Sequence, residues 1–389
     1  MRRAKLSMLH LSEQVRHLKQ RQRLTAGAVF FPVIGSDDFA RSDIERGRLL
    51  ATRGDLRGAE RALWAARLRR PDAADTGWAL RELFARFPCL GEYRGDDEDV
   101  YTVRFSPDGS KLVLGGDSGH ISIWDVATGA QLCTLTDHTK RLNRVRFSPD
   151  GALMASCGLD SVIRLWNTRD WSPAGELHGH WGSTSDIAFG RDGLRLYSTG
   201  QDATVKLWDL PTRSLIREDG DRTNGCWMLA LDESRGRIVT GNQAGIIQVR
   251  DAATLELLHQ FTAHPGVVHA VAMSPDRRTL VSCGREGTVA LWNAADWSLI
   301  RRSEPNVRHA LGVSFSPDGT RLAVTGTWTT VVLDPTTLEP VEPGLPEIKG
   351  GWSADFSPDG GLLAFQGRKL GRLHAQEVDL ELALDLRRD

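Results

Sequence analysis

The chain has 389 residues, of which 40% are hydrophobic and 25% charged, and a formal net charge of −1. That is the composition of a folded globular chain, long enough for one large domain and one small one. A balance this close to zero excludes a global electrostatic field directed at nucleic acid or an anionic membrane surface.

The first element is a helix from Leu6 to about Arg23, with Met8, Leu11, Val15 and Leu18 at heptad-like spacing. Residues 1–24 carry seven basic side chains (Arg2, Arg3, Lys5, Arg16, Lys19, Arg21, Arg23) against Glu13 alone. A basic amphipathic helix can face a membrane, an acidic partner or nucleic acid, or simply pack its apolar stripe and solvate its charges. The same charges, with His10, break up any signal-type apolar run. The longest apolar stretch, Ala26 to Ile34, is far short of the roughly 20 residues needed to cross a bilayer.

Three further helices are predicted at Ile44 to Arg53, Leu56 to Arg70 and Thr76 to Phe87, separated by Gly54-Asp55 and Pro71-Asp72. Gly47, Leu50, Gly54, Asp55, Ala59, Leu63, Ala66 and Pro71 resemble one tetratricopeptide unit. A lone unit implies a helical hairpin plus a third helix, because an array needs three or more repeats. Residues 1–87 are therefore expected to form a small all-α region.

From residue 88 onward the pattern changes to a repeat. Phe105-Ser106-Pro107-Asp108-Gly109 returns at Phe147, decays at Phe189 and Leu231, revives at Met273 and Phe315, and ends at Phe356. The first five spacings are 42 residues and the last is 41. Each period reads as four short strands. In the second, Leu142 to Phe147 precede the Ser148-Pro149-Asp150-Gly151 turn, and Leu153 to Cys157 precede Gly158-Leu159-Asp160. Val162 to Trp166 and Ala174 to Leu177 follow. Four repeated strands describe the blade of a β-propeller.

The third strands end in Trp124-Asp125, Trp166-Asn167, Trp208-Asp209, Arg250-Asp251, Trp292-Asn293 and Leu333-Asp334. His138, His180 and His264 precede first strands. In these features the chain resembles the WD-repeat family over roughly residues 88 to 376. The expected fold is mainly β: a seven-bladed WD-repeat propeller at 88–389, behind the helical region at 1–87. The resemblance implies structural tetrads at His138, Ser156, Asp160 and Trp166; at His180, Ser198, Asp202 and Trp208; and at His264, Ser282, Glu286 and Trp292. Their Ser-His-Asp composition imitates a catalytic group, but their return with the blade period argues for structure. The first, fourth and sixth periods lack full tetrads and are expected to be less rigid.

Closing the ring requires an outer strand for the last blade. Leu90 to Arg94 sit 42 residues before the outer strand around Leu132 to Thr136 and are the first candidate. The alternating Val378 to Leu386 is the second.

The position four before each anchor reads Tyr101, Asn143, Ser185, Trp227, His269, Leu311 and Trp352. These side chains are expected to form an exposed ring around the channel mouth. With Arg141, Arg285, Arg308 and Trp328 nearby, they provide the aromatic and arginine anchors typical of interfaces. The candidate partner-binding residues are thus Tyr101, Arg141, Asn143, Trp227, His269, Arg285, Arg308, Trp328 and Trp352. Some of the aromatics could instead plug the channel or pack on the helical region.

Gly116-Asp117-Ser118-Gly119 matches a protease nucleophile phrase but falls where other periods have plain turns. No zincin, P-loop or kinase motif is present. Five cysteines without a C-x-x-C pair point to a reducing, cytoplasmic setting without a disulfide framework. Arginine supplies 42 of the 49 basic residues, a bias that accompanies GC-rich bacterial genomes. The junction near residue 88 resembles bacterial signalling proteins with appended propellers, whose catalytic or nucleotide-binding halves have no counterpart in this sequence. The expectation is a non-catalytic scaffold or recognition module for a protein or peptide, with no cofactor and no metal. An enzyme with its active site in the channel, and a nucleic-acid binder using the first helix, are the alternatives.

Overall fold

The computed structural model describes residues 89–94, 100–305, 307, 309–327, 329–341, 351–367 and 372–377, with short helical pieces at 44–46, 48–49 and 62. The chain divides into two compact units, residues 1–89 and 90–389. In the first, Ile44 and Ala62 are helical and buried. The remainder of the predicted helices, including Leu6 to Arg23, lies outside the described residues.

The second unit contains seven antiparallel sheets. Among the described residues six of them have four strands and the sixth in chain order has three, so six four-stranded blades are described where seven were expected. In that sixth blade Leu322–Gly326 and Thr330–Leu333 are regular, and a single bridge from Leu333 to Pro340 marks where its outer strand would begin. Blade two shows the regular form: Leu142–Phe147, Leu153–Gly158, Ile163–Asn167 and Pro173–Leu177, each pairing with the next.

The core lies between blades, since each sheet buries one face against each neighbour. Val113, Ile121 and Ile123 of blade one pack with Leu142, Val145, Met154 and Trp166 of blade two. Cys157, Ile163 and Leu165 pack with Ile187, Leu196 and Trp208 of blade three. Cys157 and Cys283 are fully buried free thiols, held as small strand residues by this packing.

Ring closure is made by the N-terminal candidate. Cys89–Arg94 takes the outer place in the seventh sheet, beside Arg372–Glu377. The rival stretch Val378 to Leu386 lies outside the described residues. Blades one and seven also meet at the centre. Ala364 joins the cluster of Val100, Val103 and Leu112, and Arg104 Nη1 donates to Asp355 Oδ1 at 2.5 Å.

The repeated turn phrase has its own chemistry. Ser148 Oγ donates to Asp150 Oδ1 at 2.6 Å and accepts from Leu153 N–H at 2.9 Å, while Gly151 supplies the positive φ of 72°. The phrase also packs from blade to blade. The Pro107 ring sits 3.6 Å from where a Cβ on Gly151 would stand, and Pro358 sits 3.3 Å from that point on Gly109. Where the proline is lost, polar contacts replace it: Arg191 N–H donates to Glu233 Oε1, and Arg277 Nη1 donates to the Leu231 carbonyl at 2.6 Å. Gly116 to Gly119 form an ordinary turn, with Gly119 at φ 89°.

Candidate functional site: the channel mouth

Pairing along the first strands is interrupted at one repeated point. In blade two the register passes from Leu142 to Arg144 and leaves Asn143 as an extra, unpaired residue. The same bulge falls at Tyr101, Ser185, Trp227, His269 and Leu311. A β-bulge bends its strand and re-aims a side chain. Here it turns Tyr101, Asn143, Ser185, His269 and Leu311 into one cavity, together with Arg141, Arg144, Met228 and Trp352. Trp227 holds the bulge of blade four. Arg308 and Trp328 lie outside the described residues.

The ring is less exposed than the sequence implies. Ser185 and Leu311 are buried, Tyr101, Asn143 and His269 are half-buried, and Trp352 alone reaches 37% exposure. The side chains lean on one another. The Tyr101 and Trp352 rings stand 5.7 Å apart between centroids at 39°. The Arg141 guanidinium lies over the Tyr101 ring at 4.5 Å, within cation–π range. Asn143 Nδ2 donates across to Ser183 Oγ at 2.7 Å and to the Thr184 carbonyl at 2.8 Å, tying blade two to blade three. Arg285 is exposed, and its carbonyl accepts from His309 Nδ1–H at 2.8 Å.

Burial, followed by the charges of Arg285 and His309, pushes the His269 imidazole down to about 4, so it is a neutral group at pH 7. The floor holds a residue the sequence reading missed. Arg144 Nη1 donates to the Asn143 carbonyl at 3.1 Å and Nη2 to Met228 Sδ at 2.8 Å, with Nε 3.8 Å from Asp186. Asp186 also accepts from Arg146 at 3.3 Å and from Leu229 N–H at 3.2 Å. Burial raises the Asp186 carboxyl, and Arg144 opposes that rise. The signal for Arg144 was its place one residue after the ring position, on the strand that lines the channel. The cavity is about 40 Å³, room for a few waters and well below the roughly 300 Å³ of a small-molecule pocket.

A second omission is Trp181, which directly follows His180. It is 79% exposed, with the Arg222 guanidinium 5.3 Å from its ring centre.

The three tetrads are assembled as hydrogen-bonded relays. Trp208 Nε1–H donates to Ser198 Oγ at 2.8 Å, Ser198 Oγ–H donates to His180 Nε2 at 2.7 Å, and His180 Nδ1–H donates to Asp202 at 2.9 Å. Trp166, Ser156, His138 and Asp160 repeat this at 2.8, 2.7 and 2.9 Å. Trp292, Ser282, His264 and Glu286 do so at 2.9, 2.8 and 2.6 Å. Ser156, Ser198 and Ser282 are fully buried beneath the loops, so no hydroxyl is presented to a substrate. Burial alone would raise the Asp160 and Asp202 carboxyls. Their histidines outweigh it and hold both far below the usual carboxylate range. His264 is pushed down by burial against the pull of Glu286.

Blade four solves the same problem differently. Arg250 stands at the tryptophan position, buried, donating to Asp219, to the Leu255 carbonyl at 3.0 Å and to Gln248 Oε1 at 3.2 Å.

A closed ring of antiparallel sheets, three of them with an indole tethered through a serine to a loop histidine, defines a β-propeller. The WD domain, G-beta repeat family matches residues 87–125, 129–167, 171–209 and 255–293, so the chain is a β-propeller that carries WD repeats. The matches pass over the blade in which Arg250 replaces tryptophan, although its four strands pair as in the others. No curated protein matches the chain. Among the described residues no helix is long and apolar enough to cross a membrane, and no cluster of potential metal ligands occurs.

Proposed function

We propose that this chain is a non-catalytic interaction module that binds a protein or peptide across the channel mouth, with residues 1–87 as a separate helical unit. Propellers of this family generally bind protein partners, and a role in bacterial signalling is the setting that best suits the sequence. One observation carries the reading. A bulge at the same register in six blades recurs where strand pairing does not fix the residue, and five of the bulge side chains, all different, line one cavity. Tyrosine, tryptophan and arginine at such a rim are the residue types that dominate binding energy. The shallow cavity favours surface contact over enclosure of a metabolite.

The test is photo-crosslinking in cells of the source organism. Benzoylphenylalanine is placed at exposed Arg285 beside the mouth, or at Asp108 in the turn at the other end of a first strand. The mouth position should trap a discrete partner that the Asp108 position does not, and Tyr101→Ala with Trp352→Ala should abolish it. A partner trapped equally from both ends, or surviving the double substitution, defeats the proposal.

A further inference from the structure

This inference rests on the mouth being a protein-binding surface and names the chemistry it reads. We propose that the mouth takes an acidic segment of its protein partner, with a carboxylate of that segment held by Arg141. The guanidinium of Arg141 contacts the face of Tyr101. Its Nε is buried with no acceptor. The neighbouring channel arginines also carry a buried nitrogen without an acceptor, but each is already paired with a carboxylate: Arg104 with Asp355 at 2.5 Å, and Arg146 with Asp186 at 3.3 Å. Arg164, further out, donates to Asp160 at 2.7 Å.

A buried donor without an acceptor is costly. A planar guanidinium stacked on a ring can offer its terminal Nη1 and Nη2 to a carboxylate, which can accept two parallel bonds from that end. The surroundings reinforce the choice of sign. No aspartate or glutamate lines the cavity, while Arg144 lies at its floor. Arg285 sits close enough to depress His269. The Trp352 ring, the most exposed of the lining side chains, gives the chain beside the carboxylate an apolar platform.

The test uses the full chain and three fluorescent probes: a short peptide alternating glutamate and serine, the same peptide with glutamine for glutamate, and a single-stranded oligothymidylate. Binding is read by anisotropy at two salt concentrations. The glutamate peptide should bind at least about 10-fold more tightly than the glutamine peptide, a difference of about 1.4 kcal/mol, and should weaken with salt. Arg141→Met should bring the two peptides to equal affinity, Arg141→Lys should recover part of the difference, and exposed Arg169→Met should change nothing. Unchanged melting temperatures establish that the variants fold. Equal affinity for the two peptides, both weakened by Trp352→Ala, overturns the carboxylate assignment and leaves the peptide-binding reading standing. Tighter binding of the oligothymidylate than of the glutamate peptide overturns it in favour of phosphate recognition. No binding of any probe overturns it as well, and crosslinking then judges the broader reading separately.

Discussion

Ser198→Ala isolates what the tetrads contribute. The hydroxyl is fully buried and holds two partners, Trp208 Nε1 at 2.8 Å and His180 Nε2 at 2.7 Å. Alanine fills almost the same space, so the cost is electrostatic: an indole N–H and an imidazole lone pair lose their partners where water cannot replace them. Each unsatisfied buried group costs about 1–3 kcal/mol, giving about 2–6 kcal/mol together. Trp208→Phe removes the N–H itself. In that background Ser198→Ala should therefore cost about half as much, leaving a coupling of about 1–3 kcal/mol in a double-mutant cycle. Native-state hydrogen exchange of Arg195–Gly200 and Val205–Asp209 reads the opening free energy of blade three directly. A loss under about 0.5 kcal/mol, or a coupling of zero, would refute the view that the relay stabilises the blade.

Other perturbations follow from the same contacts. In blade four, Asp219→Ala strands the buried Arg250 charge and should cost about 2–3 kcal/mol. Arg250→Met leaves Asp219 to water and should cost about 1 kcal/mol, as urea titrations would show. Equal costs would mean the ion pair is not what stabilises the site. His264 and His269 titrate below their ordinary value, the latter at about 4, so the folded chain takes up fewer protons than the unfolded one. Stability is complete above about pH 6.5 and falls as pH drops toward 4, by about 1–2 kcal/mol once the part-exposure of His269 is allowed for. The depressed Asp160 and Asp202 carboxyls extend the loss below about pH 4. His269→Asn should narrow the melting-temperature gap between pH 7.5 and 5, and an unchanged gap would count against this assignment. Removing residues 1–94 takes away the outer strand of the seventh sheet and should lower the melting temperature sharply. Removing 378–389 should not, and the reverse result would show that the C-terminal segment closes the ring.

The fold was legible because its determinants are periodic. A phrase returning every 42 residues fixes strand order, turn position and the number of sheets without any long-range information. The orphan strand near residue 90 was legible for the same reason, since it matched an outer strand one period later. At the mouth, the ring position could be counted off but its burial could not. Exposure depends on how Tyr101, Trp352 and Arg141 lean together, and those residues are brought together by ring closure, 251 positions apart for Tyr101 and Trp352. Arg144 was missed because an arginine in a strand reads as solvated until the channel surrounds it.

Two neighbouring positions on the first strands show how folding and recognition are kept apart. Two before each anchor stand Val103, Val145, Ile187, Leu229, Val271 and Val313, all aliphatic, and the first five are buried. Each fills the same inter-blade space, so the packing permits little else. Two residues earlier, at the bulge, the same six blades carry Tyr101, Asn143, Ser185, Trp227, His269 and Leu311, with no residue type repeated. The bulge residue is left out of the ladder, so strand pairing does not fix its identity. Within one chain, then, one position is uniform because the fold demands it and the other is diverse although the fold allows it to be uniform. Diversity that strand pairing does not require, with five of the six residues lining one cavity beside Arg141, is what selection for a specific partner would leave behind. Replacing the half-buried or exposed Tyr101, His269 and Trp352 together by serine should therefore lower stability by less than about 3 kcal/mol while abolishing partner capture. A triple variant that loses its fold instead would place these side chains in the core and remove the basis for a recognition rim.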